Sequence, residues 1–222
     1  MKILLTYFGA FPGVPVNPTQ QVAQALQQRY KYRPSIESIE YVIRELPVSF
    51  ARSSQELVRI LRQEHPDIAI SLGVAVGRSR ISIEHVAINY DEARIPDNDG
   101  EQRRHQLIHA EGETAYFARL PIPFLSARMQ ELSLPVEVSY SAGTYVCNHV
   151  MYELLHHYAH TPDIYAGFIH IPALAVAESQ NFSASADAGG VEGTIPTLEE
   201  STVVDTLDVI VSELVQHRET TL

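Results

Sequence analysis

The chain has 222 residues, 45% of them hydrophobic and 19% charged, with 11 Gly, 13 Pro and a single Cys. This composition suits one globular domain, or at most two small ones, with a core large enough to need neither a metal staple nor a disulfide framework. One cysteine excludes an intrachain disulfide, and a net charge of -11, from 16 Lys plus Arg against 27 Asp plus Glu, repels a phosphate backbone, so no nucleic-acid partner is expected.

Residues 1–7 carry one cation and too short an apolar stretch for a signal peptide, and no run approaches the roughly 18 apolar residues of a membrane span. The expectation is a cytoplasmic protein in a reducing compartment, with no membrane partner.

β-branched and apolar segments alternate with helix-period segments from end to end. That pattern predicts an α/β fold: three α/β/α layers around a central mixed, mostly parallel sheet, in one domain over residues 1–222. Residues 2–8 read as a first strand, which the loop Gly9-Ala10-Phe11-Pro12-Gly13-Val14-Pro15 interrupts. Asn17-Pro18 reads as N-cap and first helical position, opening a helix over residues 19–30. A second strand is expected over residues 35–43 and a helix over 50–64. Residues 67–74 are nearly continuous apolar, as in a strand covered on both faces.

Residues 81–90 alternate as one strand, with Ser82, Glu84, Val86 and Ile88 on one side. Pro96-Asp97-Asn98-Asp99-Gly100 is dense in turn formers, and the polar stretch 101–112 reads as a mobile surface excursion. Helices are then expected over 127–132 and 144–158, with strands over 136–140 and 164–171. Residues 178–196 are rich in Ser, Ala and Gly without periodicity, and a final helix is expected over 197–216.

The single cysteine lies in Ser141-Ala142-Gly143-Thr144-Tyr145-Val146-Cys147-Asn148-His149, where a strand turns through Gly143 into a helix. With Thr144 as N-cap, Cys147 occupies N3, where unpaired backbone N–H groups and the helix dipole favour a thiolate. A buried structural thiol is the alternative. His170 closes an apolar strand segment, and crevices in open α/β sheets form outside the carboxyl ends of strands. If the strand before Cys147 runs parallel to it, both side chains emerge on one rim and His170 is placed as a general base; a structural histidine is the alternative. Glu84, on an aliphatic face, needs a partner such as an imidazole unless its strand is a solvent-exposed edge.

Three blocks resemble the pyroglutamyl peptidase I family of cysteine peptidases, also called pyrrolidone-carboxylate peptidases. They are Leu72 to Ser79 running into Ile81 to Asn89 and Ala93 to Asn98; Ser141 to Tyr152; and Gly167-Phe168-Ile169-His170-Ile171-Pro172, with Thr114 to Phe117 and Leu120 to Ile122 in support. The resemblance implies removal of N-terminal pyroglutamate, with Cys147 as nucleophile, His170 and Glu84 as its partners, and Arg94 beside the oxyanion with the Cys147 backbone N–H. By the same likeness Phe8 and Phe11 line a slot for the lactam ring, Asn17 supports that loop, and Leu72, Ile95, Tyr145 and Val146 border the pocket. It further implies a homo-oligomer, commonly a tetramer, with no cofactor or metal. The first loop keeps both aromatics but has Pro12 at a position where relatives carry Gly, and the likeness reaches about Pro172.

Two other enzymatic readings stay open. One is a cysteine amidohydrolase for another small blocked or cyclic substrate. The other is a metal site from the i,i+4 pairs His105 with His109 and His156 with His160, which requires both pairs to be helical. A non-catalytic binding protein on the same fold is the third alternative.

Overall fold

The computed structural model describes residues 1–11, 14, 16–32, 39–161, 163–175 and 195–221. In chain order, β1 (Lys2–Phe8), α1 (Pro18–Tyr32), β2 (Glu40–Leu46), α2 (Phe50–Glu64) and β3 (Ile68–Val74) come first. β4 (Ile81–Glu84), β5 (Val86–Ile88), β6 (Ala115–Phe117), α3 (Ile122–Glu131), β7 (Val136–Ser139) and α4 (Val146–His157) follow. β8 (Tyr165–Ile171), β9 (Ala173–Leu174), β10 (Thr197–Leu198) and α5 (Glu200–Thr221) complete the series.

Six strands form the central sheet in the order β2-β1-β3-β8-β4-β7. The first four run parallel, β4 is antiparallel to β8, and β7 is parallel to β4. The sheet is therefore mixed and mostly parallel, as expected. β3 and β8, the near-continuous apolar runs, occupy the middle, where both faces are covered. One face packs Ile3, Leu5, Ile70 and Ile169 against α1, α3 and α5. The other packs Leu4, Ala69, Ala166 and Phe168 against α2 and α4. Because strand side chains alternate, these are alternate positions of the same strands.

The helix caps follow local chemistry. Asn17 Oδ1 accepts from the Thr19 amide at 3.0 Å, which makes Asn17 the N-cap ahead of Pro18. Ser49 caps α2 through the Arg52 amide, and His65 closes it in the left-handed region, at φ 46°.

Several boundaries differ from the sequence expectation. The second strand begins at Glu40 and runs to Leu46, because its register with β1 extends to Phe8 opposite Leu46; residues 33–38 lie outside the described set. The strand expected over 81–90 divides at His85. Its amide donates to Ser139 O and its carbonyl accepts from Ala118, so the chain exchanges β7 for β6, and β5 joins β6 in a separate antiparallel ribbon. α3 starts five residues early, since Pro123 in its first turn costs no helical hydrogen bond. Thr197 and Leu198 pair with β9 before α5 begins at Glu200.

The polar excursion 101–112 folds back on residues 89–93. Arg103 O accepts from the Ala93 amide, Gln106 bridges Asp91, and Asn89 Oδ1 takes the amides of Ile108 and His109. Residues 176–194, most of the Ser, Ala and Gly-rich segment, lie outside the described set, as do Pro12, Gly13 and Pro15. Among the described residues no helix is long and apolar enough to cross a membrane.

Leu57 is fully buried in the core shared by α2, α4 and the sheet. Leu57→Ala is expected to lower unfolding stability by about 2–5 kcal/mol, from lost transfer energy plus the cavity left behind. Urea unfolding measures this, and a loss well under about 1 kcal/mol would mean that the layer does not depend on this contact.

Candidate active site

The site is built on the one antiparallel step in the central sheet. In the β4–β8 register Ser82 lies opposite His170 and Glu84 opposite Phe168, so Glu84 and His170 are diagonal neighbours on the face covered by α2 and α4. Their side chains meet: His170 Nδ1 and Glu84 Oε1 are 2.7 Å apart. Glu84 is 0% exposed and His170 4%.

Room for the imidazole comes from Gly73, its register partner on β3. A Cβ at Gly73 would stand 2.8 Å from the Phe168 ring and 2.9 Å from His170 Cδ2, so a close approach, rather than a turn, requires glycine here.

Burial pushes the Glu84 carboxyl upward. The hydrogen bond and charge of His170, the Ser139 hydroxyl and the Arg78 guanidinium outweigh that effect and leave it below its ordinary value. An ionised Glu84 accepts, so Nδ1 of the neutral ring carries the proton and Nε2 presents its lone pair. The expectation of an acid with an imidazole partner thus holds, and a solvent-exposed edge position does not.

Arg78 is a participant that the sequence reading passed over. Its Nη1 donates to the same Glu84 Oε1 at 2.6 Å, and its Nη2 donates to Ser141 O at 3.0 Å. A lone Arg in a Gly-rich turn carries no spacing signal; it becomes legible only once Glu84 is known to be buried.

Cys147 is partly buried and packs against the core on the α2 and α4 face, the face that also carries His170. Two details differ from expectation. The helix begins one residue later, with Tyr145 as N-cap, so Cys147 is at N2. Thr144 is occupied elsewhere: its hydroxyl donates to Glu92 O at 2.8 Å and its carbonyl accepts from the Glu92 amide. β7 also runs opposite to β8, because β4 is parallel to the first and antiparallel to the second. Residues 140–144 therefore carry the chain back before α4 starts. Tyr145 makes no side-chain cap.

The expected pocket residues divide. Phe8 is buried with its ring 6.4 Å from Phe168, which stands 4.8 Å from the His170 ring. Phe11, Tyr145, Val146 and Phe8 all pack on this face. Asn17 Nδ2 donates to Gly9 O at 3.0 Å and so ties the first loop to α1. Leu72 is the exception, since its side chain packs in the core on the opposite face with Leu5 and Ile70.

Arg94 and Ile95 are exposed, Ile95 at 43%, on the segment leading into the 96–100 turn. That turn is more than a surface reversal. Asp97 caps α2 through the Phe50 amide, Asn98 Nδ2 donates to Ala10 O, and Tyr145 donates its hydroxyl to Pro96 O. It joins the first loop, α2 and the start of α4.

The histidine pairs weighed as metal ligands are not helical. His105 sits in a turn at φ 49° and meets the Tyr90 hydroxyl, His109 meets Glu153, and His160 lies beyond the end of α4. Among the described residues no three His, Cys, Asp or Glu side chains converge as ligands. A second buried imidazole–carboxylate pair, His149 with Asp91 at 2.8 Å, reaches the Ser54 hydroxyl and joins α4 to α2.

Since the folded Glu84 carboxyl lies below its unfolded value, the unfolded chain binds its proton more readily. The resulting stability is complete above the unfolded pKa, near 4.3, and is lost as pH falls through the folded value. In urea unfolding between about pH 6 and about pH 3, Glu84→Gln is expected to lose stability less steeply than the wild type; parallel curves would contradict a depressed Glu84.

The geometry can be set beside known proteins. The family model for pyroglutamyl peptidase matches residues 1–216, which extends past Pro172, where the motif-based likeness ends. A pyrrolidone-carboxylate peptidase of Thermosipho melanesiensis is 41% identical over 173 residues, 78% of this chain and 83% of that protein. Pyrrolidone-carboxylate peptidase 1 of Caldanaerobacter subterraneus subsp. tengcongensis is 43% identical over 175 residues, with the same coverage, 78% and 83%.

Among solved structures, the pyroglutamyl peptidase I of Bacillus amyloliquefaciens superposes with a TM-score of 0.82 at 34% identity, covering 98% of this chain and 96% of that one. A variant pyrrolidone carboxyl peptidase of the hyperthermophile Pyrococcus furiosus gives 0.84 at 35% identity, over 98% and 100%. Whole-length family match, sequence identity and superposition agree, and the chain belongs to the pyroglutamyl peptidase family.

Proposed function

We propose that this protein is a cysteine exopeptidase that removes N-terminal pyroglutamate, with Cys147 as nucleophile, His170 as base and acid, and Glu84 as the group that orients His170. The observation that carries the reading is the buried 2.7 Å contact between His170 Nδ1 and Glu84, which leaves Nε2 as the ring's proton acceptor, in a chain of this family.

In the proposed cycle His170 Nε2 takes the Cys147 proton and the sulfur bonds to the pyroglutamyl carbonyl carbon, whose π electrons move to oxygen. The Cys147 backbone N–H at N2 and the Arg94 side chain stabilise that oxyanion. Collapse breaks the C–N bond, and the departing amine takes the proton from His170. Water then adds to the thioester with His170 as base, the C–S bond breaks, and free pyroglutamate leaves as the thiol recovers its proton.

Specificity is proposed to come from Phe8, Phe11, Ile95, Tyr145 and Val146. Leu72, placed on the other sheet face, contributes to the scaffold rather than the slot. A flat neutral lactam suits aromatic walls, whereas an ordinary α-ammonium terminus would lose its hydration there. The same reading takes the chain as one domain that works in the cytoplasm as a homo-oligomer, a tetramer by likeness to its family. Sedimentation of the purified chain tests the last point.

Release of coumarin from a pyroglutamyl-aminomethylcoumarin substrate in reducing buffer checks the activity. Wild type is expected to release it, and Cys147→Ala to fall by at least about 10³-fold. Full activity in Cys147→Ala would remove the thiol from the mechanism. Acetylated and free amino-acid amides are expected to be poor substrates; a preference for either would favour another blocked substrate class.

A further inference from the structure

We propose that Arg78 is a positioning residue that sets the charge balance of the Glu84–His170 pair and fixes the chain segment that delivers Cys147. The inference rests on the function proposed above. Arg78 lies in the turn between β3 and β4, where its amide donates to Ala75 O and Gly77 takes φ 98°. The Ala75 amide in turn donates to Ile171 O, so the turn hangs from the end of β8, next to His170. The guanidinium is thereby held between two groups: the buried Glu84 carboxylate and the Ser141 carbonyl, six residues before the nucleophile. Its side chain is 28% exposed and therefore keeps its charge partly hydrated.

The consequence lies in the shared oxygen. Glu84 Oε1 accepts from both His170 Nδ1 and Arg78 Nη1, at 2.7 and 2.6 Å. A buried carboxylate with no other cation stabilises the imidazolium strongly and would hold the ring protonated, unable to act as a base near neutral pH. A guanidinium on the same oxygen offsets that field while leaving the hydrogen bond that fixes the tautomer. Its second arm reaches Ser141, whose segment brings the chain from β7 to α4.

The other charged or titratable groups on the surrounding elements are engaged in their own contacts. Glu137 on β7 accepts from Ser82, Arg80 donates to Val136 O and Leu134 O, and His85 packs at a tilt against Phe117 and edge-on against Tyr140. Cys147 on α4 and Arg94 belong to the proposed site itself, and Arg78 contacts Glu84 directly.

The test compares wild type, Arg78→Gln and Arg78→Lys as full chains. The titration of the His170 ring is followed by NMR, and kcat and KM are measured against pH with pyroglutamyl-aminomethylcoumarin. In Arg78→Gln the His170 midpoint is expected to rise by about one pH unit, the matching limb of the rate profile to move with it, and kcat near pH 6 to fall about tenfold. KM is expected to stay within about twofold. Arg78→Lys retains the charge but not the fork, so its midpoint stays at the wild-type value while kcat falls through loss of the Ser141 arm.

An unchanged His170 midpoint in Arg78→Gln, or a change in KM alone, would overturn the proposal. Should the Gln variant fail to fold, the Lys variant decides: a wild-type midpoint with lowered kcat supports the role, and wild-type kcat or a shifted midpoint contradicts it. The NMR titration needs no turnover. An inactive wild type would therefore remove the proposed function while the Arg78 effect on His170 is still read.

Discussion

A carboxylate with no solvent exposure, set in an apolar sheet, is tolerated only where donors reach it, because an unpaired buried charge costs several kcal/mol or more. Glu84 is that group, and its donors come from two separate parts of the chain: His170 on β8 and Arg78 in the turn after β3. Removing either of them leaves the other aimed at a poorly compensated charge. The fold around the site can be read as the set of constraints that brings two donors to Glu84 Oε1, while the buried Oε2 has no hydrogen-bond partner among the described residues.

The mixed character of the sheet follows the same requirement. In a wholly parallel sheet Glu84 would meet a different row of β8. Reversing β4 puts Glu84 level with Phe168, one diagonal from His170, with Gly73 leaving space for the ring from the other neighbour. Beyond Glu84 the chain leaves the sheet at His85 and forms the ribbon with β6. It then builds the 89–106 region, whose 96–100 turn holds the first loop, the start of α2 and Tyr145 together. The acid and the proposed pocket wall are thus successive products of one strand and its exit.

Much of this was legible in the residues. Burial on both sheet faces demands continuous apolar strands, so β3 and β8 announced themselves. Local cap chemistry marked the start of α1 at Asn17-Pro18, because an N-cap depends on neighbours in sequence. The motif spacings singled out Cys147, His170 and Glu84. What stayed hidden was set by distant partners: the reversed direction of β4 and β7, the split at His85, the opposite-face position of Leu72, and Arg78. Thr144 shows the limit clearly. It has the chemistry of a cap, but Glu92, 52 residues away, takes its hydroxyl and the helix starts one residue later.

The most direct measurement is a crystal structure of the full chain reacted with a pyroglutamyl aldehyde. The account predicts a hemithioacetal on Cys147 Sγ, its oxygen about 3 Å from the Cys147 N–H and the Arg94 side chain, the lactam against Phe8 and Phe11, and His170 still bonded to Glu84 through Nδ1. An adduct on another residue, or a Cys147 adduct with His170 turned away from Glu84, would contradict it.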